Sequence, residues 1–213
     1  DGYVGIDKIL KNNLKNLTAD YVFERIKSDD VIVVDTRNPS DYCNEHIPGS
    51  IFIGLNGRFA PGVGEILKDI NQEIILIVEE GKEEEAITRL SRVGFDNCLG
   101  YLDSGIESWK TAGYSTESIR SIDPEQFINE SSPNSQIIDV RDKSELINGK
   151  FKSSKNIPLS KIDSQKKIDK NLTSYVYCAG GYRSVIACSI LKRDKFKQLV
   201  NVESGFSGIS KLI

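Results

Sequence analysis

The sequence of 213 residues contains no methionine, one tryptophan and one histidine, His46. No two cysteines form a Cys-x-x-Cys pair, so the ligand spacing of the common zinc sites is missing and we expect no metal. No stretch approaches the roughly 18 consecutive apolar residues of a membrane span, and no charged and then apolar leader opens the chain, so we expect no membrane association. The start at Asp1 and the lack of methionine favour a fragment of a longer protein.

Positive charge does not exceed negative charge: 28 lysines and arginines stand against 31 aspartates and glutamates, and the pI is about 5.4. Such a chain has no basic field for a phosphate backbone, which argues against nucleic acid as a partner. The cysteines do not suggest a dense disulfide framework, so we expect free thiols in a reducing compartment and a soluble, cytoplasmic protein. They are Cys43, Cys98, Cys178 and Cys188.

The chain aligns with itself. Residues 33–37 match residues 137–141, and the Ser104-Gly105 pair matches Ser204-Gly205 after a helix-like segment in each copy. The period is about 100 residues, which indicates two duplicated domains rather than a solenoid with its shorter repeat.

Within each copy, short apolar runs alternate with amphipathic stretches, which predicts an α/β fold with a mainly parallel sheet flanked by helices. The predicted strands are residues 31–34, 74–78 and 98–101 in the first copy and residues 136–140, 174–177 and 199–202 in the second. The predicted helices that follow the central strands are residues 83–93 and residues 183–193.

The repeat sets the predicted domain boundaries. Residues 17–115 form the first domain, and residues 116–213 form the second, which we interpret as truncated at its C-terminal end. Residues 113–123 are polar and lack periodicity, so they are the predicted linker. Residues 1–16 have the pattern of a helical extension that belongs to neither repeat.

The second copy places Cys178 between an apolar strand and a helix that begins near Arg183. In an open α/β sheet, ligands bind beyond the carboxyl ends of the strands, where the N–H groups of the next helix point. Gly180 and Gly181 let the backbone curl so that successive amides converge on one sulfur. The helix dipole, these amides and the arginine all favour thiolate, the reactive form of cysteine. We call residues 178–184 the cysteine loop.

The cysteine loop fits the Cys-x-x-Gly-x-Arg-Ser pattern of the rhodanese family, and both copies resemble that family over nearly all of the chain after Leu17. The other matching elements are Asp35 with Arg37 and residues 46–50 in the first copy, and Asp139 with Arg141 and residues 156–159 in the second. The chain is thus expected to contain two tandem rhodanese-like domains.

This resemblance implies a sulfurtransferase that needs no cofactor and carries a persulfide on Cys178, the catalytic nucleophile. The implied donor is thiosulfate or a low-molecular-weight persulfide, and the implied acceptor is a thiol, sulfite or cyanide. Arg183 either holds an anionic donor or fixes the shape of the loop, and both roles stay open. The implied substrate-binding residues are Ala179, Gly180, Gly181, Tyr182, Arg183 and Ser184.

Two other functions are weighed against sulfur transfer. In the related cysteine phosphatases, five residues separate the cysteine from the arginine and form a wider loop, whereas four separate Cys178 from Arg183. The second alternative is a non-catalytic interaction or regulatory module.

The first copy has Glu79 and Glu80, not cysteine, where the second copy has the cysteine loop, so we expect it to be degenerate. Residues 54–61, 83–90 and 93–97 resemble the rhodanese half of metallo-β-lactamase-fold proteins similar to persulfide dioxygenases. Residues 1–16 would then be the tail of a preceding metal domain, which would be a partner of this chain. The metal-binding histidine motif of such a domain is not in this sequence.

Other reactive side chains are interpreted as structural. Cys98 and Cys188 are predicted core residues. Asp139 and Arg141 are predicted to form a structural pair at a strand end, and His46 to shape a loop. Cys43 precedes that histidine in a predicted loop and is a candidate for exposure. Lys150 stands where the family often has histidine.

Overall fold

The computed structural model describes residues 6–28, 30–57, 59–164 and 168–213. It divides into two compact units, Asp1–Glu117 and Ser118–Ile213. Two parts of the motifs above lie outside the described residues: residues 1–5 of the extension and Arg58 of the first copy. Within the described ranges, no helix is long and apolar enough to cross a membrane.

The first unit contains a five-stranded sheet in the order β1-β5-β4-β2-β3, and all of its strand pairs are parallel. The strands are β1 (Asn16–Leu17), β2 (Val31–Asp35), β3 (Ile51–Phe52), β4 (Glu73–Ile77) and β5 (Cys98–Leu102). The helices are α1 (Ile6–Asn13), α2 (Ala19–Lys27), α3 (Pro39–Asn44), α4 (Phe59–Ile66), α5 (Glu83–Ser91) and α6 (Gly105–Thr111). β2 and β4 are apolar throughout most of their length because helices cover both faces of the sheet.

The segment before the first repeat is part of the first unit. Helix α1 contacts α5 and β5, and the Asn13 side-chain amide donates to the Asp96 carbonyl at 2.8 Å. β1 then pairs with β5. Thr18 caps α2 by accepting a hydrogen bond from the Tyr21 amide at 3.2 Å. The described part of the extension is therefore packed on the fold of this unit.

The second unit repeats the architecture, with a parallel sheet in the order β6-β10-β9-β7-β8. The strands are β6 (Arg120–Ile122), β7 (Gln136–Asp139), β8 (Lys155–Asn156), β9 (Ser174–Tyr177) and β10 (Leu199–Val202). The helices are α7 (Pro124–Glu130), α8 (Tyr182–Arg193) and α9 (Gly205–Ile209), with two 3₁₀ helices at Lys143–Asn148 and Leu159–Ser164. The matching strand orders confirm the duplicated α/β fold.

Two sequence expectations were wrong in detail. β6 lies inside the predicted linker and pairs with β10, because three residues are too short to reveal a strand pattern. Cys43 is not exposed in a loop; it lies on α3 and is 3% exposed, since that face of the helix packs into the core.

Candidate active site

Cys178 lies where β9 ends and α8 begins, and it is 1% exposed. The Gly181 N–H donates to the Cys178 Sγ at 3.1 Å. Gly181 is the N-cap of α8 with φ of 93°, a left-handed conformation that suits glycine. The sulfur thus lies at the N-terminus of a helix of twelve residues, where the helix dipole and the unpaired amides favour a negative charge.

The first residues of α9 bind the backbone of the cysteine loop. The Phe206 N–H donates to the Cys178 carbonyl at 2.7 Å, and the Ser207 N–H donates to the Ala179 carbonyl at 3.0 Å. Gly205 makes this approach possible, because a Cβ there would lie 2.2 Å from the Cys178 carbonyl oxygen, and its φ is +49°. The matched Ser-Gly pair of the two copies is therefore a backbone feature that positions the loop.

Replacing Gly205 by alanine should lower the free energy of unfolding of this unit. The left-handed backbone alone costs about 1–3 kcal/mol for a residue with a side chain, and the clash with the Cys178 carbonyl adds to that cost. Gly180→Ala is the matched control, because a Cβ there meets no atom within 4 Å, and it should change stability by less than about 1 kcal/mol. Thermal unfolding compares the two variants, and equal melting temperatures would contradict the role given to Gly205.

Arg183 binds a carboxylate that no motif in the sequence indicates. Its two terminal nitrogens donate to both Glu145 oxygens, at 2.6 and 2.7 Å. The hydrogen bonds that Arg183 donates to Glu145 are the main reason that the pKa of Arg183 is raised, and the nearby Cys178 raises it further. In turn, hydrogen bonding to Arg183 is the main cause that lowers the pKa of Glu145. Both groups are therefore charged at neutral pH.

A capping box at the 3₁₀ helix Lys143–Asn148 fixes Glu145. The Asp142 N–H donates to the Glu145 Oε2 at 3.0 Å, while the Asp142 side chain accepts from the amide of Glu145. The acidic residues three apart, directly after Arg141, were the sequence signal for this arrangement. That spacing does not indicate which arginine Glu145 binds, because Arg183 lies 38 positions later in the chain.

Asp139 and Arg141 form the predicted structural pair, in which both side chains are almost fully buried. Arg141 donates to both Asp139 oxygens at 2.7–3.1 Å and to the Gly149 carbonyl at 3.0 Å. Its guanidinium also lies over the Phe206 ring, 4.1 Å from the centroid. Since the Phe206 amide binds the Cys178 carbonyl, this pair supports the loop indirectly.

The other predicted loop residues follow Cys178 in the turn that leads into α8 and in the first residues of that helix. Ser184 is buried, and its hydroxyl donates to the Gly181 carbonyl at 3.0 Å. Ala179 and Tyr182 are half-buried, whereas Gly180 is exposed. The remaining cysteine of this unit, Cys188, is buried on α8, as predicted for a core residue.

The corresponding loop of the first unit carries carboxylates. Glu79 accepts a hydrogen bond from the Asn38 side chain at 2.8 Å, and the Gly81 N–H donates to Glu83 at 3.1 Å. His46 is fully buried, stacked on the Tyr42 ring at 4.2 Å, with its Nδ1 2.8 Å from the Tyr42 carbonyl. The burial of Cys98 raises its pKa to about 12, as expected of a core thiol. Across the described ranges, no group of three or more His, Cys, Asp or Glu side chains is arranged to hold a metal.

A family model described as "Rhodanese-like domain" matches residues 18–112 and residues 123–212. The chain belongs to the rhodanese-like family. Its two rhodanese-like domains correspond to the two parallel sheets described above.

Several rhodanese-like relatives are similar to this chain. The thiosulfate sulfurtransferase GlpE of Pseudoalteromonas translucida is 29% identical over 99 residues, which are 46% of this chain and 90% of the relative. A rhodanese-like domain protein from Staphylococcus aureus is 34% identical with a TM-score of 0.39, covering 43% of this chain and 91% of that one. A thiosulfate sulfurtransferase from Pseudomonas aeruginosa is 17% identical with a TM-score of 0.44, covering 93% of this chain and 42% of that one.

Proposed function

We propose that this rhodanese-like protein is a sulfurtransferase that moves sulfane sulfur through a persulfide on Cys178. The observation that carries the proposal is the Cys178 sulfur at the N-terminus of α8, 3.1 Å from the Gly181 amide nitrogen. Amide donors and a helix N-terminus stabilise a thiolate before the reaction and an anionic outer sulfur after it.

The reaction has two steps and forms a covalent intermediate. In the first, the Cys178 thiolate attacks the outer sulfur of the donor, a new S–S bond forms, and the donor's own bond to that sulfur breaks with release of sulfite or a thiolate. In the second, a thiol, sulfite or cyanide attacks the outer sulfur and the Cys178 thiolate leaves. No net oxidation occurs and no cofactor is needed, because the sulfur moves as a formally neutral atom. In each step the attacking nucleophile supplies the electron pair of the new bond, and the leaving group keeps the pair of the bond that breaks.

The rest of the cysteine loop holds the reacting sulfur. In this proposal the amides of residues 179–184 hold the reacting sulfur; Gly181 donates to it at 3.1 Å, and the Ser184 hydroxyl donates to the Gly181 carbonyl. Tyr182 is half-buried within the loop, and we propose that it contributes to the choice of donor. For Arg183, the ion pair with Glu145 favours fixing the loop over holding an anionic donor.

The first domain takes no part in the chemistry of this proposal, because a carboxylate such as that of Glu79 cannot carry sulfane sulfur. Its likeness to the rhodanese half of metallo-β-lactamase-fold proteins rests on sequence motifs alone, and no dioxygenase chemistry is assigned to any residue here. The four cysteines form no disulfide, which supports a proposed cytoplasmic location.

Two assays on the intact chain test this function. We expect the protein to transfer sulfur from thiosulfate or cysteine persulfide to cyanide with repeated turnover, and to release no phosphate from a phosphotyrosine mimic. Four residues separate Cys178 from Arg183, whereas the related phosphatases have five and a wider loop, so we expect phosphate not to fit. Phosphate release without sulfur transfer would favour the phosphatase, and no turnover in either assay would favour a non-catalytic module.

A further inference from the structure

The charge at the mouth of the cysteine loop is unusual for a site that accepts an anion. The loop contains a single cationic residue, Arg183, and both of its terminal nitrogens donate to Glu145. Only 29% of the Arg183 side chain is exposed. A guanidinium that is paired in this bidentate way has its charge largely neutralised before any substrate arrives.

We propose, on the basis of the function proposed above, that Glu145 is a specificity-determining residue. It directs the first half-reaction towards persulfides in which the inner sulfur is bonded to carbon, and away from dianionic thiosulfate. Glu145 acts by pairing with the Arg183 guanidinium, the cation that thiosulfate would need.

Further negative charge lies around the same loop. Asp142 is close enough to Arg183 to raise its pKa, and it is exposed. Glu203 is exposed on the strand end beside Gly181, where its Cα lies 3.7 Å from the position of a Cβ on that glycine. Lys143 and Lys150 on this unit are exposed, as are Asp142 and Glu203, so salt ions screen all four charges and the less exposed Arg183–Glu145 pair has the main effect.

The two donor classes differ at the atom next to the attacked sulfur. In thiosulfate the inner sulfur carries three oxygens that share the negative charge and leave as sulfite. In a carbon persulfide the inner sulfur carries a methylene group, so the reaction R–S–SH + Cys178–S⁻ gives Cys178–S–SH and R–S⁻. Sulfite, the leaving group from thiosulfate, is a dianion and needs an available cation to stabilise it. The thiolate that leaves from a carbon persulfide has only one negative charge. The Arg183–Glu145 pair therefore penalises thiosulfate more strongly.

Glu145→Gln tests this proposal because glutamine keeps the size of the side chain and its place in the capping box but lacks the charge. The measured quantity is the rate of persulfide formation on Cys178 from thiosulfate and, separately, from cysteine persulfide. We expect the ratio of the thiosulfate rate to the persulfide rate to rise about tenfold, which corresponds to roughly 1.4 kcal/mol. An unchanged ratio, or a loss shared equally by both donors, would overturn the proposal by leaving Glu145 a purely structural role.

Glu130→Gln is the matched control. Glu130 forms the same bidentate pair with Arg120, at 2.6 and 2.7 Å, in the same unit but outside the cysteine loop. This variant should leave the ratio of the two rates unchanged, and a rise equal to that of Glu145→Gln would make the effect one of net charge and overturn the proposal. If the unmodified chain formed no persulfide with either donor, the proposed sulfurtransferase function itself would fail, which is a separate result.

Discussion

Replacing Cys178 by serine should reduce sulfur transfer to cyanide by more than about 1,000-fold, the scale of loss seen when a covalent nucleophile is removed. A hydroxyl at this position cannot carry sulfane sulfur. The fold should be retained, because serine is close in size to the buried thiol and the Cys178 carbonyl still accepts the Phe206 N–H. Steady-state assay and thermal unfolding measure the two effects.

The other cysteines supply the controls for this result. Cys188 is buried five residues after Arg183 on the same helix, and Cys43 and Cys98 are buried in the first unit. Changing any of them to serine should leave most of the activity in place. If one of these variants lost as much activity as Cys178→Ser, the nucleophile would be assigned to the wrong residue.

Replacing Asp139 by alanine should lower the free energy of unfolding of the second unit by about 3–5 kcal/mol, the usual cost of leaving one charge of a buried pair without its partner. Arg141 would be that charge, since its side chain is 3% exposed and Asp139 supplies most of its hydrogen bonds. Native-state hydrogen exchange of the amides of β7 and β9 measures the change.

An exposed ion pair in the same unit supplies the control for the Asp139→Ala measurement. Arg120 and Glu130 have similar bidentate geometry, but the Arg120 side chain is 55% exposed. Glu130→Ala should therefore change the stability far less than Asp139→Ala does, because solvent screens an exposed pair. An Asp139→Ala variant with as small an effect would mean that water reaches Arg141 and that the pair does not act as a buried one.

The sequence predicted the central strands well because their burial on both faces leaves an uninterrupted apolar run. β9 and β10 begin and end where the sequence predicted. β2 is one residue longer at its C-terminal end, and β4 begins and ends one residue earlier than predicted. β1 and β6 have two and three residues, so no periodicity exists to reveal them. β1 and β6 form only because they pair with the edges of β5 and β10, and such pairing depends on the tertiary fold.

The candidate site was predictable in its nucleophile but not in its charge balance. Cys178 and its glycines follow one another along the chain, so their spacing indicates a strand-to-helix turn. Glu145 reaches Arg183 from 38 positions earlier, and only the folded sheet brings them together. Gly205 was visible as part of a repeat, yet its close approach to the Cys178 carbonyl depends on three-dimensional packing.

The two units show that this fold does not require the chemistry. Ser104 and Ser204 both adopt positive φ, at 53° and 56°, before the glycine that starts α6 or α9. The first unit keeps this backbone and the buried Asp35–Arg37 pair while Glu79 stands in its loop. The chemistry that we propose would therefore follow from the side chains at one strand end and not from the shared architecture.

The most direct measurement is the mass of the intact chain after exposure to a sulfane-sulfur donor, followed by peptide mapping. We predict a gain of one sulfur atom on the peptide that contains Cys178, reversed by cyanide, and no gain in the Cys178→Ser variant. Sulfur bound at Cys43, Cys98 or Cys188 instead, or no gain from thiosulfate or cysteine persulfide, would contradict a persulfide mechanism at Cys178.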